Sequence, residues 1–166
     1  MAEPPAPVAP PPVVLAPEQR DLAQEIAATP ALSAYAALLA VGDAGRLAGP
    51  GPVTVFAPDD GAVARLPAGV AALLTTVENR ATLDRLLAYH VVDGAITADE
   101  LRRRVAAGGG RAILPTLAGE PLTVTLTNGV PTLTDADGDR AYWQRETRRA
   151  NGVLQIVNGV LAPTLP

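Results

Sequence analysis

The sequence predicts an α+β domain. Apolar residues recur at helical spacing through the first half, apolar and polar residues alternate at strand spacing in the second, and a proline-rich stretch stands ahead of both. The 166 residues, 48% of them hydrophobic, are enough to bury one sizeable core. Only 3% of the chain is aromatic, and Phe56 and Trp143 are each the only residue of their kind, so the packing is expected to be aliphatic.

From Glu3 to Pro17, seven prolines (Pro4, Pro5, Pro7, Pro10, Pro11, Pro12 and Pro17) fix φ and remove backbone donors. That composition predicts an extended, disordered tether over residues 1–17 and a folded domain over 18–166. Pro17 suits a helix start, Glu18 and Asp21 suit the positive end, and Leu22 and Ile26 fall on one face of a helix that ends before Pro30. A second helix carries Leu32, Tyr35, Leu38 and Leu39, with Gly42 as its stop. Val53 to Ala57 reads as a buried strand, and helical turns resume at Asp59, where two adjacent acids suit an N-terminus.

Glu78 to Tyr89 predicts an amphipathic helix with Leu83, Leu86 and Leu87 inward, passing directly into β-branched Val91 and Val92. Thr97 and Glu100 match a capping box for the helix bearing Arg102, Arg103 and Arg104, which Gly108 to Gly110 end. Beyond Arg111, Leu122, Val124 and Leu126 alternate with threonines up to Asn128-Gly129, a tight-hairpin pair. Val153, Leu154, Ile156 and Val157 give a further strand before Asn158-Gly159 turns the chain.

Three segments resemble the fasciclin (FAS1) family. Thr54-Val55-Phe56-Ala57-Pro58-Asp59-Asp60 is similar to its first signature, Leu86-Leu87-Ala88-Tyr89-His90-Val91-Val92 to its central Tyr-His motif, and Asn151 to Leu161 to its second signature. Leu114 to Gly119 is a weaker echo. Val63 departs from the usual Phe of the first signature; Gln155 and Asn158 stand where the second often has His and Asp. The resemblance spans residues 18–166 and implies a FAS1-type wedge of β-strands packed with several short α-helices. It also implies an extracellular or periplasmic, cell-surface adhesion and protein-interaction module, with no catalytic activity and no cofactor. The partner it implies is a protein or cell surface, contacted by Tyr89 and His90 with flanking Leu86, Leu87 and Val91. The alternative is a carrier of an apolar ligand such as a carotenoid. The competing role for Tyr89 and His90 is to lock the helix-to-strand junction by burial.

Other chemistries find little footing. A net charge of −4 with interspersed Arg gives no footprint for a nucleic acid. The basic clusters Arg102 to Arg104 and Arg145, Arg148 and Arg149 read as solvated faces. With no Cys and one His, common zinc ligand sets and thiol nucleophiles are excluded. Ser33, the only serine, lies far in sequence from His90. Asp135, Asp137, Asp139 and Glu146 reproduce calcium-loop spacing, but Arg140 replaces the required Gly, so a solvated hairpin loop is the adopted reading. No run is long enough to span a membrane, the N-terminus shows no signal segment, so a removed leader is expected, and the domain is expected to act as a monomer.

Overall fold

The computed structural model describes residues 21–42, 47, 49, 51–66 and 69–161. The tether expected over 1–17, and the helix start read at Pro17 and Glu18, lie outside these residues. Helix α1 (Leu22–Ala28) opens on Asp21, whose extended backbone places it before the helix as a cap and not within the first turn. Its carboxylate accepts from the Gln24 N–H at 2.7 Å, and the Gln24 side chain accepts from the Asp21 N–H at 2.9 Å. A 3-10 turn at Pro30–Leu32 leads into α2 (Ser33–Val41), which stops at Gly42 as expected.

Asp59 caps α3 (Asp60–Ala64) through the Ala62 N–H at 2.7 Å. The neighbouring acid turns the other way: Asp60 accepts from the Ser33 hydroxyl at 2.7 Å and the Ala34 N–H at 2.8 Å, capping α2 from another element. Helices α4 (Val70–Leu74), α5 (Arg80–Tyr89) and α6 (Ala98–Ala107) follow. Thr97 caps α6 by accepting from the Glu100 N–H at 3.1 Å, but the other half of the expected capping box is missing. The Glu100 carboxylate accepts from Arg103 and Arg104 instead, because charged donors one turn on compete better for it than one backbone amide.

Seven strands form one sheet in the order β2-β1-β7-β6-β5-β4-β3. They are β1 (Val53–Pro58), β2 (Val91–Asp93), β3 (Ala112–Pro115), β4 (Pro121–Thr127), β5 (Val130–Thr134), β6 (Arg140–Arg149) and β7 (Gly152–Val157). All neighbours are antiparallel except β1 and β7, which run parallel from Val53↔Gly152 to Pro58↔Val157. The edge strands come together at one end, where Val92 bridges Thr116 and the Leu117 N–H donates to Val91 at 2.9 Å. The sheet is therefore a wedge, closed at that end. Asn128 and Gly129 both adopt positive φ, giving the β4–β5 hairpin read from the sequence.

Strands β1 and β7 are buried along their whole length, which is why their apolar runs are nearly continuous. Val53, Val55, Ala57, Leu154 and Ile156 pack against Leu22, Ile26, Tyr35 and Leu38 beneath the helices. Phe56 and Val157 point the other way, into the wedge, among Tyr89, Leu101, Leu114, Leu122 and Leu133. The two strands pinch together where they start. A Cβ on Gly152, which has φ +152°, would lie 1.8 Å from the Val53 carbonyl oxygen, so only glycine fits.

Candidate functional site

The amphipathic spacing of α5 turns Leu83, Leu86 and Leu87 inward, and the helix ends where the chain turns into β2. His90 is the C-cap residue, its N–H donating to Leu87 at 3.1 Å. The same corner puts Tyr89 into the wedge and His90 under the helices. Leu86, Leu87, Tyr89, His90 and Val91 are all buried, with Tyr89 0% and His90 1% exposed.

Both aromatic side chains bind backbone. The Tyr89 hydroxyl donates to the Pro121 carbonyl at 3.0 Å, tying α5 to the start of β4. Burial, reinforced by the negative charge of Asp135, pushes its pKa up to about 12. His90 Nδ1 stands 2.8 Å from the Leu86 carbonyl and therefore carries the proton, leaving Nε2 to accept from the Leu161 N–H at 3.0 Å. Its own carbonyl accepts from Phe56 at 2.8 Å. One residue thus joins α5, β1 and the segment after β7. The Tyr35 ring lies across the imidazole at 5.9 Å between centroids. Burial holds the His90 pKa down to about 4, so the ring is neutral at pH 7.

Other polar residues do work that their sequence positions did not disclose. Asn151 accepts from the Leu22 N–H at 2.9 Å and donates to the Leu47 and Gly49 carbonyls at 2.7 and 2.9 Å. The sequence showed it only as the first residue of the segment similar to the second signature, which says nothing of its partners. Gln155, fully buried, accepts from Trp143 Nε1 at 2.7 Å and donates to the Ile96 carbonyl at 3.0 Å and to Glu146 at 3.1 Å. A polar residue inside an otherwise apolar strand was the available signal. Val63, smaller than the Phe of the signature, is buried in the core.

Glu146 Oε1 also accepts from the Ala98 N–H at 2.7 Å, so this carboxylate serves the first turn of α6 and does not join the aspartates of the calcium-like spacing. Asp135 instead folds its own loop, accepting from the Asp137 and Asp139 N–H groups at 3.0 and 2.8 Å. Arg102 pairs with Asp99, Arg103 and Arg104 with Glu100, and Arg148 with Glu146, all within four positions, whereas Arg149, 15% exposed and so not part of a solvated face, reaches across the fold to Glu25 at 3.0 Å. Arg102 also lies 5.6 Å from the centre of the Trp143 ring. Ser33, bonded to Asp60, is not brought to His90. Among the described residues no helix is long and apolar enough to cross a membrane.

A family model of the fasciclin domain matches residues 30–163. The chain is 35% identical over 119 residues to protein sll1483 of Synechocystis, covering 72% of this chain and 59% of that protein. It is 32% identical over 148 residues to human Stabilin-1, covering 87% of this chain but 5% of that protein. A solved FAS1 domain pair from the insect cell adhesion molecule fasciclin I superposes with a TM-score of 0.52 at 17% identity, over 84% of this chain and 43% of that one. The likeness in fold extends to the seven-stranded wedge and its short helices. The chain therefore belongs to the fasciclin domain family.

Proposed function

We propose that this fasciclin domain is an extracellular or periplasmic adhesion and protein-interaction module without catalytic activity, held away from its anchor by the proline-rich residues 1–17. Family membership carries the proposal, since an insect cell adhesion molecule contains a pair of such domains. The commitment of the reactive side chains supports it: His90 gives both ring nitrogens to backbone groups and Ser33 gives its hydroxyl to Asp60. Tyr89 and His90, with Leu86, Leu87 and Val91, enter this reading as the residues that shape the corner between α5 and β2 from beneath, so that their effect on a partner is exerted through the surface they support.

Beads coated with the full chain are expected to attach saturably to cells, in competition with soluble protein. Absence of attachment to every cell type tried would sink the reading. The double variant Tyr89→Phe/His90→Gln, checked for folding by circular dichroism, tests the corner: reduced attachment keeps it in the site, and unchanged attachment removes it.

A second reading, carriage of an apolar ligand such as a carotenoid, is favoured by one observation. Ala23, Ile26, Ala27, Ala36, Leu39 and Ala40 line an apolar groove of about 220 Å³ between α1 and α2. A groove of this size falls below the roughly 300–1,000 Å³ of ordinary ligand pockets, so a polyene would lie along it without being enclosed. An absorption spectrum left unchanged when carotenoid is mixed with the protein would count against this reading.

A further inference from the structure

A second cleft, of about 400 Å³, opens between the end of α3 and the start of β6. It is lined by Arg65, Asp139, Arg140, Tyr142 and Asn158, with Ala62 among its apolar residues. The Arg65 guanidinium, one residue past α3, is drawn over the cleft by donating to the Asn158 carbonyl. Asn158 is held by reciprocal bonds with β6: its Oδ1 accepts from the Tyr142 N–H at 2.7 Å and its N–H donates to the Tyr142 carbonyl at 3.1 Å. With Oδ1 occupied, its side-chain N–H groups remain as donors. Gly159 packs so closely here that a Cβ would approach Arg140 O and Ala141 Cβ to 3.0 Å, which fixes the cleft floor.

The charge balance of the cleft depends on position 158. A carboxylate there would bring the charge of the lining to zero, whereas the amide leaves Arg65 and Arg140 opposed by Asp139 alone. Two arginines and Asp139 leave a local charge of +1 in a protein whose net charge is −4. Guanidinium forks match the planar, bidentate geometry of a carboxylate. A single positive charge suits a singly charged ligand better than a phosphate dianion or a densely sulfated chain, which Asp139 would repel. The Tyr142 hydroxyl, the Asn158 amide and the Asp139 carboxylate offer donors and an acceptor for ligand hydroxyl groups, and the cleft volume falls in the range of small-molecule sites.

We propose that this cleft binds a carboxylated sugar, a uronic acid unit, with Arg65 and Arg140 on the carboxylate and Tyr142, Asn158 and Asp139 on the hydroxyls. The site goes beyond the proposed adhesion function, and its failure would leave that reading intact.

The test is titration of the full-length protein with digalacturonate, followed by calorimetry and by NMR of the backbone amides. Binding is expected to shift the amides of Arg65, Arg140, Tyr142 and Asn158, to weaken roughly tenfold or more in Arg140→Gln, as loss of one charge-assisted hydrogen bond implies, and to weaken in Asn158→Asp, which adds a second negative charge to the cleft. Arg140 is exposed, so its replacement is not expected to disturb folding. The proposal is overturned if digalacturonate does not bind at about 10 mM, a concentration that half-fills a site with a Kd of about 10 mM. It is equally overturned if the neutral methyl ester binds as well, if Arg140→Gln binds unchanged, or if inorganic phosphate competes with equal affinity, which would make this a general anion site.

Discussion

At the scale of single residues, Asn151 holds the two ends of the domain together. Its amide serves one N–H and two carbonyls contributed from more than 100 positions away. Asn151→Ala would strand these groups where water has little access, and is expected to cost about 3 kcal/mol in urea unfolding, with activity-independent loss of the native state. His90 makes a prediction about pH. Its folded pKa of about 4 lies below the ordinary 6.5, so the unfolded chain takes up a proton more readily. Stability is then unaffected by this residue above pH 6.5, falls as pH drops from 6.5 towards 4, and loses at most about 3 kcal/mol. His90→Gln should flatten that part of the profile relative to wild type; parallel profiles from pH 7 to 4 would refute the assignment. The sequence disclosed that Tyr89 and His90 sit at a junction, because helical spacing stops at Tyr89 and β-branched residues follow. It did not disclose their partners, since Pro121 and Leu161 are distant in the chain and hydrogen bonds to backbone leave no compositional trace.

At the scale of elements, capping across the fold explains which helix starts were legible. Asp59 was readable as a local cap, because side chain and amide lie three positions apart. The cap of α2 comes from Asp60, 26 positions beyond Ala34, and no local pattern announces it. Asp60→Ala is expected to destabilise the domain by about 1 kcal/mol, the usual worth of a cap, read as a lower midpoint in thermal unfolding. If instead the midpoint is unchanged, α2 does not depend on this carboxylate. Bonds from Ala34 and Ser33 hold the Asp60 pKa below the ordinary carboxylate range, so its contribution is present at neutral pH and lost as pH falls through that lowered value. Strand β6 was the element least visible in advance. Arg140–Arg149 is rich in charge, only Ala141 is buried, and the register shift between Trp143 and Arg145 breaks the alternation on which strand reading depends. By contrast β4, β5 and β7 were legible from threonine alternation, the Asn-Gly turn and an apolar run.

At the scale of the whole molecule, β7 inserts between β1 and β6 and is buried on both faces. The sheet therefore has no independent N-terminal half. A chain ending at Ala150 is expected to lack dispersed amide signals in NMR, although it keeps six of the seven strand segments; a dispersed spectrum would show that the first 150 residues fold alone. The fold class was legible because patterning is local. The parallel pairing of β1 with β7 was not, because it joins Val53 to Gly152 across nearly the whole domain.

That pairing sets the timing of folding in relation to synthesis. A ribosome working from the N-terminus releases β1 about 100 codons before β7 exists, and synthesis at roughly 5–20 residues per second leaves that side of the strand waiting for seconds. The β1–β7 seam closes only after Val157 has emerged, so until then β1 has β2 as its one partner in this sheet.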